Sequence, residues 1–167
     1  MLTLQSSPDR PQTELNQLLI DQDGIRRLIP HAGAMCLLDR VEAWDATRIR
    51  CASASHHHPG NPLRQAGRLR AICGVEYAAQ AIALHGALGA GQRRRSRAGL
   101  LVSLRSVVCA VADLDGEPGE LTVEAERLLG EDERAMYAFR VLAGARELVS
   151  GRATVVLDAA ALAAARG

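Results

Sequence analysis

From Ala71 to Leu88 the chain reads Ala-Ile-Cys-Gly-Val-Glu-Tyr-Ala-Ala-Gln-Ala-Ile-Ala-Leu-His-Gly-Ala-Leu. The spacing predicts one long helix. Its apolar side chains point in nearly every direction, and a helix that is apolar all round is normally buried all round. Five alanines, Ala78, Ala79, Ala81, Ala83 and Ala87, let neighbouring elements approach closely. A sheet that curls around the helix would bury such a segment.

The flanking sequence supplies that sheet. Leu121, Val123 and Ala125 alternate with Thr122, Glu124 and Glu126, the period of a half-buried strand. Tyr137, Phe139 and Val141 repeat the pattern. Strands are predicted over 35–44, 47–55, 99–112, 120–129, 134–143 and 146–157, with Gly144-Ala145 as a tight hairpin. A helix is expected over 13–27, ended or turned by Asp23-Gly24. Residues 56–70 and 89–97 read as loops, 159–165 as a short terminal helix, and 1–12 as a loose polar tail. A single buried helix cannot supply the crossovers of a parallel sheet, so the expected class is α+β with a mainly antiparallel sheet. The 167 residues fit a single domain over 13–167. With one Phe, one Trp and two Tyr, its core must be built from Leu, Val, Ile and Ala.

The net charge of +1 argues against a nucleic-acid partner, since there is no basic excess to track phosphates. The N-terminus lacks the apolar run of a signal peptide, and no stretch looks both long and charge-free enough to span a bilayer. Cys36, Cys51, Cys73 and Cys109 have neither metal-ligand nor disulfide-framework spacing. They read as reduced, mostly buried thiols of a cytoplasmic protein.

Two polar residues interrupt the apolar helix. Glu76 and Gln80 are four apart and share a face. A carboxylate in an apolar setting must be paired or reach a cleft, and burial raises its pKa toward the range useful for general acid–base work. Equally, an acid in the first turn complements the helix dipole, and Gln80 alone reads as a structural hydrogen-bonder. His85 falls about 180° around the helix from Glu76 and reads as structural or exposed. A second polar concentration is Ser55-His56-His57-His58-Pro59-Gly60-Asn61-Pro62. Neighbours in an extended run alternate sides, so no three-histidine metal site is expected there. A turn fixed by Pro and Gly just before the helix can instead deliver an imidazole base to Glu76, or merely hold a surface cluster. His31, in Ile29-Pro30-His31-Ala32-Gly33, is a third candidate and reads as a structural turn residue rather than a base.

Three stretches together resemble the hotdog-fold 3-hydroxyacyl-(acyl carrier protein) dehydratases. Leu28-Ile29-Pro30-His31 followed by Leu37-Leu38-Asp39-Arg40-Val41 is similar to that family's opening L-P-H…L-L-V-D-R-V. His57-His58-Pro59-Gly60-Asn61-Pro62 resembles H-F-P-G-x-P. Glu76-Tyr77-Ala78-Ala79-Gln80-Ala81 resembles E-A-M-A-Q-A. The stretch from His57 to Glu76 is longer than the family's and carries Arg64, Arg68 and Arg70. Arg70-Ala71 stands where a Pro-Gly is usual. The whole pattern looks closest to a divergent subgroup from aryl-polyene- and polyketide-type gene clusters, some of whose members partner a second hotdog protein.

The resemblance implies a curved antiparallel sheet wrapped around the central helix. It also implies dehydration of a 3-hydroxyacyl thioester to the trans-2-enoyl form, as in fatty-acid or polyketide biosynthesis. His57 would be the base, with His56 and His58 as alternatives. Glu76 would serve the departing hydroxyl, and Gln80 would support it. Backbone N–H groups near Ala71 and Gly74 would hold the thioester carbonyl. No metal or cofactor is required. The implied partners are an acyl carrier protein bearing acyl-phosphopantetheine and a second hotdog chain, identical or not, since such sites take His from one subunit and Glu from the other. Arg93, Arg94, Arg95 and Arg97 are expected to meet the acidic carrier. Two alternatives share the fold: an acyl-thioester hydrolase using Glu76 to activate water, and a non-catalytic subunit of a catalytic hotdog partner.

Overall fold

Residues 71–90 form the axis of the protein. In the computed structural model, which describes residues 19–90, 100–131 and 134–156, a 3-10 turn at Ala71–Cys73 leads into helix α2, Gly74–Gly89. Around it lie β1 (Ile20–Asp21), α1 (Gln22–Leu28), β2 (Arg40–Trp44), β3 (Arg48–Ser53), β4 (Leu100–Cys109), β5 (Leu121–Glu131), β6 (Arg134–Ala143) and β7 (Arg146–Val156). The strands make one seven-stranded sheet in the order β1-β2-β3-β5-β6-β7-β4, and every pairing is antiparallel. This is the hotdog arrangement.

Alternation decides which face meets the helix. Leu121, Val123 and Ala125 of β5 and Tyr137, Phe139 and Val141 of β6 are buried. The small side chains of α2 permit the close approach: a Cβ on Gly74 would lie 3.0 Å from Val149 Cγ2 of β7. Although aliphatic residues dominate the core, three of the few aromatic rings, Tyr77, Tyr137 and Phe139, are sealed inside it. Gly144 takes φ +58 at the two-residue β6–β7 turn, where Ala143 pairs with Arg146.

Three expectations need correction. Asp23-Gly24 does not end a helix. Asp21 caps one, its side chain accepting the N–H of Gly24, and α1 runs through that glycine. Residues 13–18 lie outside the described residues. The strand expected over 35–44 begins only at Arg40, because Gly33–Met35 forms a 3-10 turn. Finally, Ala71–Gly89 is long and apolar enough by composition to cross a membrane, yet 61% of its most apolar window is buried inside this fold. Of the four free cysteines, Cys36 and Cys51 are buried, Cys73 is half-buried and Cys109 is exposed. The expected tail over 1–12 and helix over 159–165 also lie outside the described residues.

Candidate active site

Glu76 sits in the first turn of α2 with its side chain 34% exposed. Two neighbours hold the same oxygen. Gln80 Nε2 donates to Oε1 at 3.3 Å, and His31 Nε2 stands 3.3 Å from it. No described residue donates to Oε2. Gln80 is itself fixed on three sides: Nε2 also donates to Met35 O at 2.7 Å, and Oε1 accepts the N–H of Leu37 at 2.9 Å. The 3-10 turn at 33–35 therefore closes over α2 and carries His31 onto the carboxylate. His31, the third histidine candidate in the sequence and read there as a turn residue, is the imidazole that meets Glu76. A signal was available: a buried glutamine one turn beyond Glu76 must bind backbone from a distant segment.

The direction of the Glu76 pKa corrects an expectation. Burial does push it up, but the His31 contact outweighs burial, and Gln80 adds to it. The carboxyl is held below its ordinary value. Glu76 is ionised at neutral pH.

The histidine turn is ordered, and its three rings diverge. His56 is sealed, its Nε2 donating to Glu117 O at 3.1 Å, while Nδ1 is buried without a partner. Burial lowers its pKa. His57 is exposed, and its Nε2 lies 2.9 Å from Gly119 O. A carbonyl only accepts, so Nε2 carries the proton and Nδ1 keeps a lone pair. His58 is the reverse: Nδ1 accepts the N–H of Gly60 at 3.0 Å. Among the three, His57 alone combines exposure with an uncommitted lone pair. None of the three bonds to Glu76 of its own chain.

Beneath the turn, Tyr77 OH meets Ser55 Oγ at 2.8 Å and Asn61 Nδ2 at 3.0 Å, tying the turn to α2. Tyr77, one of two tyrosines, was not singled out from the sequence. A cleft of about 400 Å³ opens between α1, the 33–36 turn and the histidine turn, lined in part by Arg26, Cys36, Asp39, Ser55 and His58.

Other expected site features fall elsewhere. The N–H of Ala71 donates to Ala112 O at 3.0 Å, and that of Gly74 is bonded within the turn, to Ala71 and Ile72 carbonyls. Neither is free to hold a thioester carbonyl in this arrangement, because the chain enters α2 through a 3-10 turn that uses them. His85 is buried and structural, between Tyr137 OH and Asp45 O, each at 2.9 Å. Arg93, Arg94, Arg95 and Arg97 lie outside the described residues.

The family model for ApeP-like proteins, described as ApeP dehydratase, matches residues 24–164. No curated protein matches the sequence. Among solved structures, the dehydratase heterocomplex ApeI:P from Xenorhabdus doucetiae is similar over 80% of this chain and 90% of that one, at 24% identity and a TM-score of 0.72. AziG from S. sahachiroi is 19% identical, over 78% and 98% of the two chains, with a TM-score of 0.52. A thioesterase family protein from Silicibacter pomeroyi is 16% identical, over 70% and 82%, also at 0.52. At such identities the structures share the fold.

Proposed function

The chain belongs to the ApeP-like dehydratase family, and from that premise we propose that it removes water from a 3-hydroxyacyl thioester carried by an acyl carrier protein. The product is the trans-2-enoyl thioester. The observation that carries the reading is Glu76: a carboxylate with one oxygen fixed by Gln80 and His31 and the other without a donor among the described residues.

The ionised state of Glu76 shapes the mechanism. A carboxylate cannot protonate a leaving hydroxyl, but it can accept that hydroxyl's hydrogen bond and orient it. The His57 imidazole takes the C2 proton at Nδ1. Its Nε2–H stays on Gly119 O, which steadies the imidazolium. The C2–H electrons form the C2–C3 double bond, the C3–O bond breaks, and His57 returns the proton to the departing oxygen. Water leaves, and no proton is gained or lost.

His57 and Glu76 of one chain make no contact, which favours a site shared between two chains. Strand β4 suits that role. It is a sheet edge exposing Leu101, Val102, Leu104 and Val108. The ApeI:P structure is a complex of two proteins. By the same reasoning the second chain here is a hotdog protein, a copy of this chain or a relative.

The same ionised Glu76 favours one second reading, a thioester hydrolase in which the carboxylate activates water. One assay separates the readings. A purified 3-hydroxyacyl carrier protein is supplied, and enoyl product and free thiol are both followed. Enoyl product that vanishes in Glu76→Ala and falls steeply in His57→Ala is expected. Free thiol with no enoyl product would overturn the dehydratase reading for the hydrolase. Neither product, with enoyl formation only beside a second hotdog protein and untouched by Glu76→Ala, would leave a non-catalytic subunit.

A further inference from the structure

The long stretch between the histidine turn and α2 carries three arginines, of which one is placed differently from the other two. Arg68 and Arg70 both pair with Asp113. Arg64 turns back under the histidines. Its side chain is 16% exposed, and each of its three nitrogens meets a different backbone carbonyl. Nε donates to His58 O at 3.0 Å, one terminal nitrogen to His56 O at 2.8 Å, and the other to Gly67 O at 2.6 Å. The carbonyls on either side of His57 are thus tied to one rigid plane. That plane is also held to the 110–120 segment, through Asp115 at 3.8 Å, and the same aspartate accepts the N–H of Leu69 at 2.9 Å. The 110–120 segment supplies the Glu117 and Gly119 carbonyls that receive the His56 and His57 rings.

We propose that Arg64 is the positioning residue for the His57 base. Its planar fork locks the turn so that the His57 Nε2–H stays on Gly119 O and Nδ1 presents its lone pair outward. The effect on rate rests on the dehydratase reading; the effect on the ring does not. The extra residues between histidine and glutamate then have a task, which is to bring this fork beneath the turn. The requirement is geometric. Three coplanar donors match three carbonyls, whereas a lysine supplies the charge without the fork.

The test uses the full chain, with its hotdog partner where the wild type needs one. Arg64→Lys should lower kcat by about 10- to 100-fold, the effect of a base displaced by about 1 Å, with KM changed less than about twofold. Adding ethylguanidinium to Arg64→Ala should restore part of the rate, and ethylammonium should not. Arg68→Ala, in the same stretch but bonded to Asp113, should keep the wild-type rate. A wild-type kcat in Arg64→Lys overturns the proposal. Imidazole ¹⁵N spectra give an arm independent of turnover, with the His57 signal assigned by its loss in His57→Ala. The wild type should show His57 protonated at Nε2, and folded Arg64→Lys should show a mixture of tautomers. If the wild type makes no enoyl product, the dehydratase reading fails. An unchanged His57 tautomer in Arg64→Lys would still refute the clamp.

Discussion

Removing one oxygen from Tyr77 should loosen the histidine turn measurably, because that oxygen sits in a directed chain of hydrogen bonds. Asn61 Nδ2 has two hydrogens, one on Ser55 O and one on Tyr77 OH, each at 3.0 Å. Ser53 uses its one hydroxyl hydrogen on Leu37 O, so Ser55 donates to Ser53 Oγ at 2.9 Å and Tyr77 to Ser55 Oγ at 2.8 Å. The chain ends where Ser53 donates to Leu37 O at 2.6 Å. Tyr77→Phe keeps the ring, so no cavity opens. Ser55 loses a donor but keeps Ser53 and is only partly buried. Asn61 Nδ2 keeps its bond to Ser55 O and is left with one buried N–H unpaired. Orphaning such a donor costs about 1–3 kcal/mol. For a chain of this size that lowers Tm by about 2–4 °C per kcal/mol, so about 4–8 °C near the middle of the range. Calorimetry at one fixed protein concentration measures it, since subunit association shifts Tm by mass action. A denaturant titration with unchanged m-value would show that the native state alone was affected. A shift under about 1 °C would refute the directed chain, because it would mean that the Asn61 N–H finds another acceptor.

Burial holds the His85 and His56 pKa values down. The unfolded chain therefore takes up protons that the folded one refuses, and stability should fall as pH drops below about 6.5. Denaturant unfolding at pH 7.5 and 5.5 checks this, and a flat profile in the wild type and in His85→Gln would contradict it. Glu76 has a depressed pKa, so its contribution is present above the unfolded carboxyl value and lost as pH falls through the folded one. Glu76→Gln should flatten the acid side of the Tm–pH curve below about pH 5. Gly24→Ala should destabilise the fold despite alanine's advantage of about 1 kcal/mol inside a helix, because the new Cβ would meet Ile20 Cγ2 at 2.5 Å. A rise in Tm would show that Ile20 moves aside freely.

What could be read from the chain and what could not divide along a physical line. The central helix and the strands β5 and β6 depend on patterns within one segment: an all-round apolar run placed the helix, and period-two alternation at 121–125 and 137–141 placed the two strands. Glu76 was visible for the same reason, as a charge on a helix otherwise apolar all round. Misreadings arose where the outcome depends on atoms far apart in sequence. Gly24 looks like a breaker, yet it is tolerated in α1 because Ile20 packs where a Cβ would go. His31 looks like a turn residue, and it reaches Glu76 only because Gln80 binds Met35 and Leu37 and folds their segment back onto α2. The sign of the Glu76 pKa follows from that contact. Burial alone argues for a raised value and an acid catalyst. One imidazole, 45 residues away in sequence, reverses the sign and turns the same residue into an acceptor. A carboxylate singled out by its helix is therefore enough to locate a site, but its protonation state has to be taken from whichever loop closes over it.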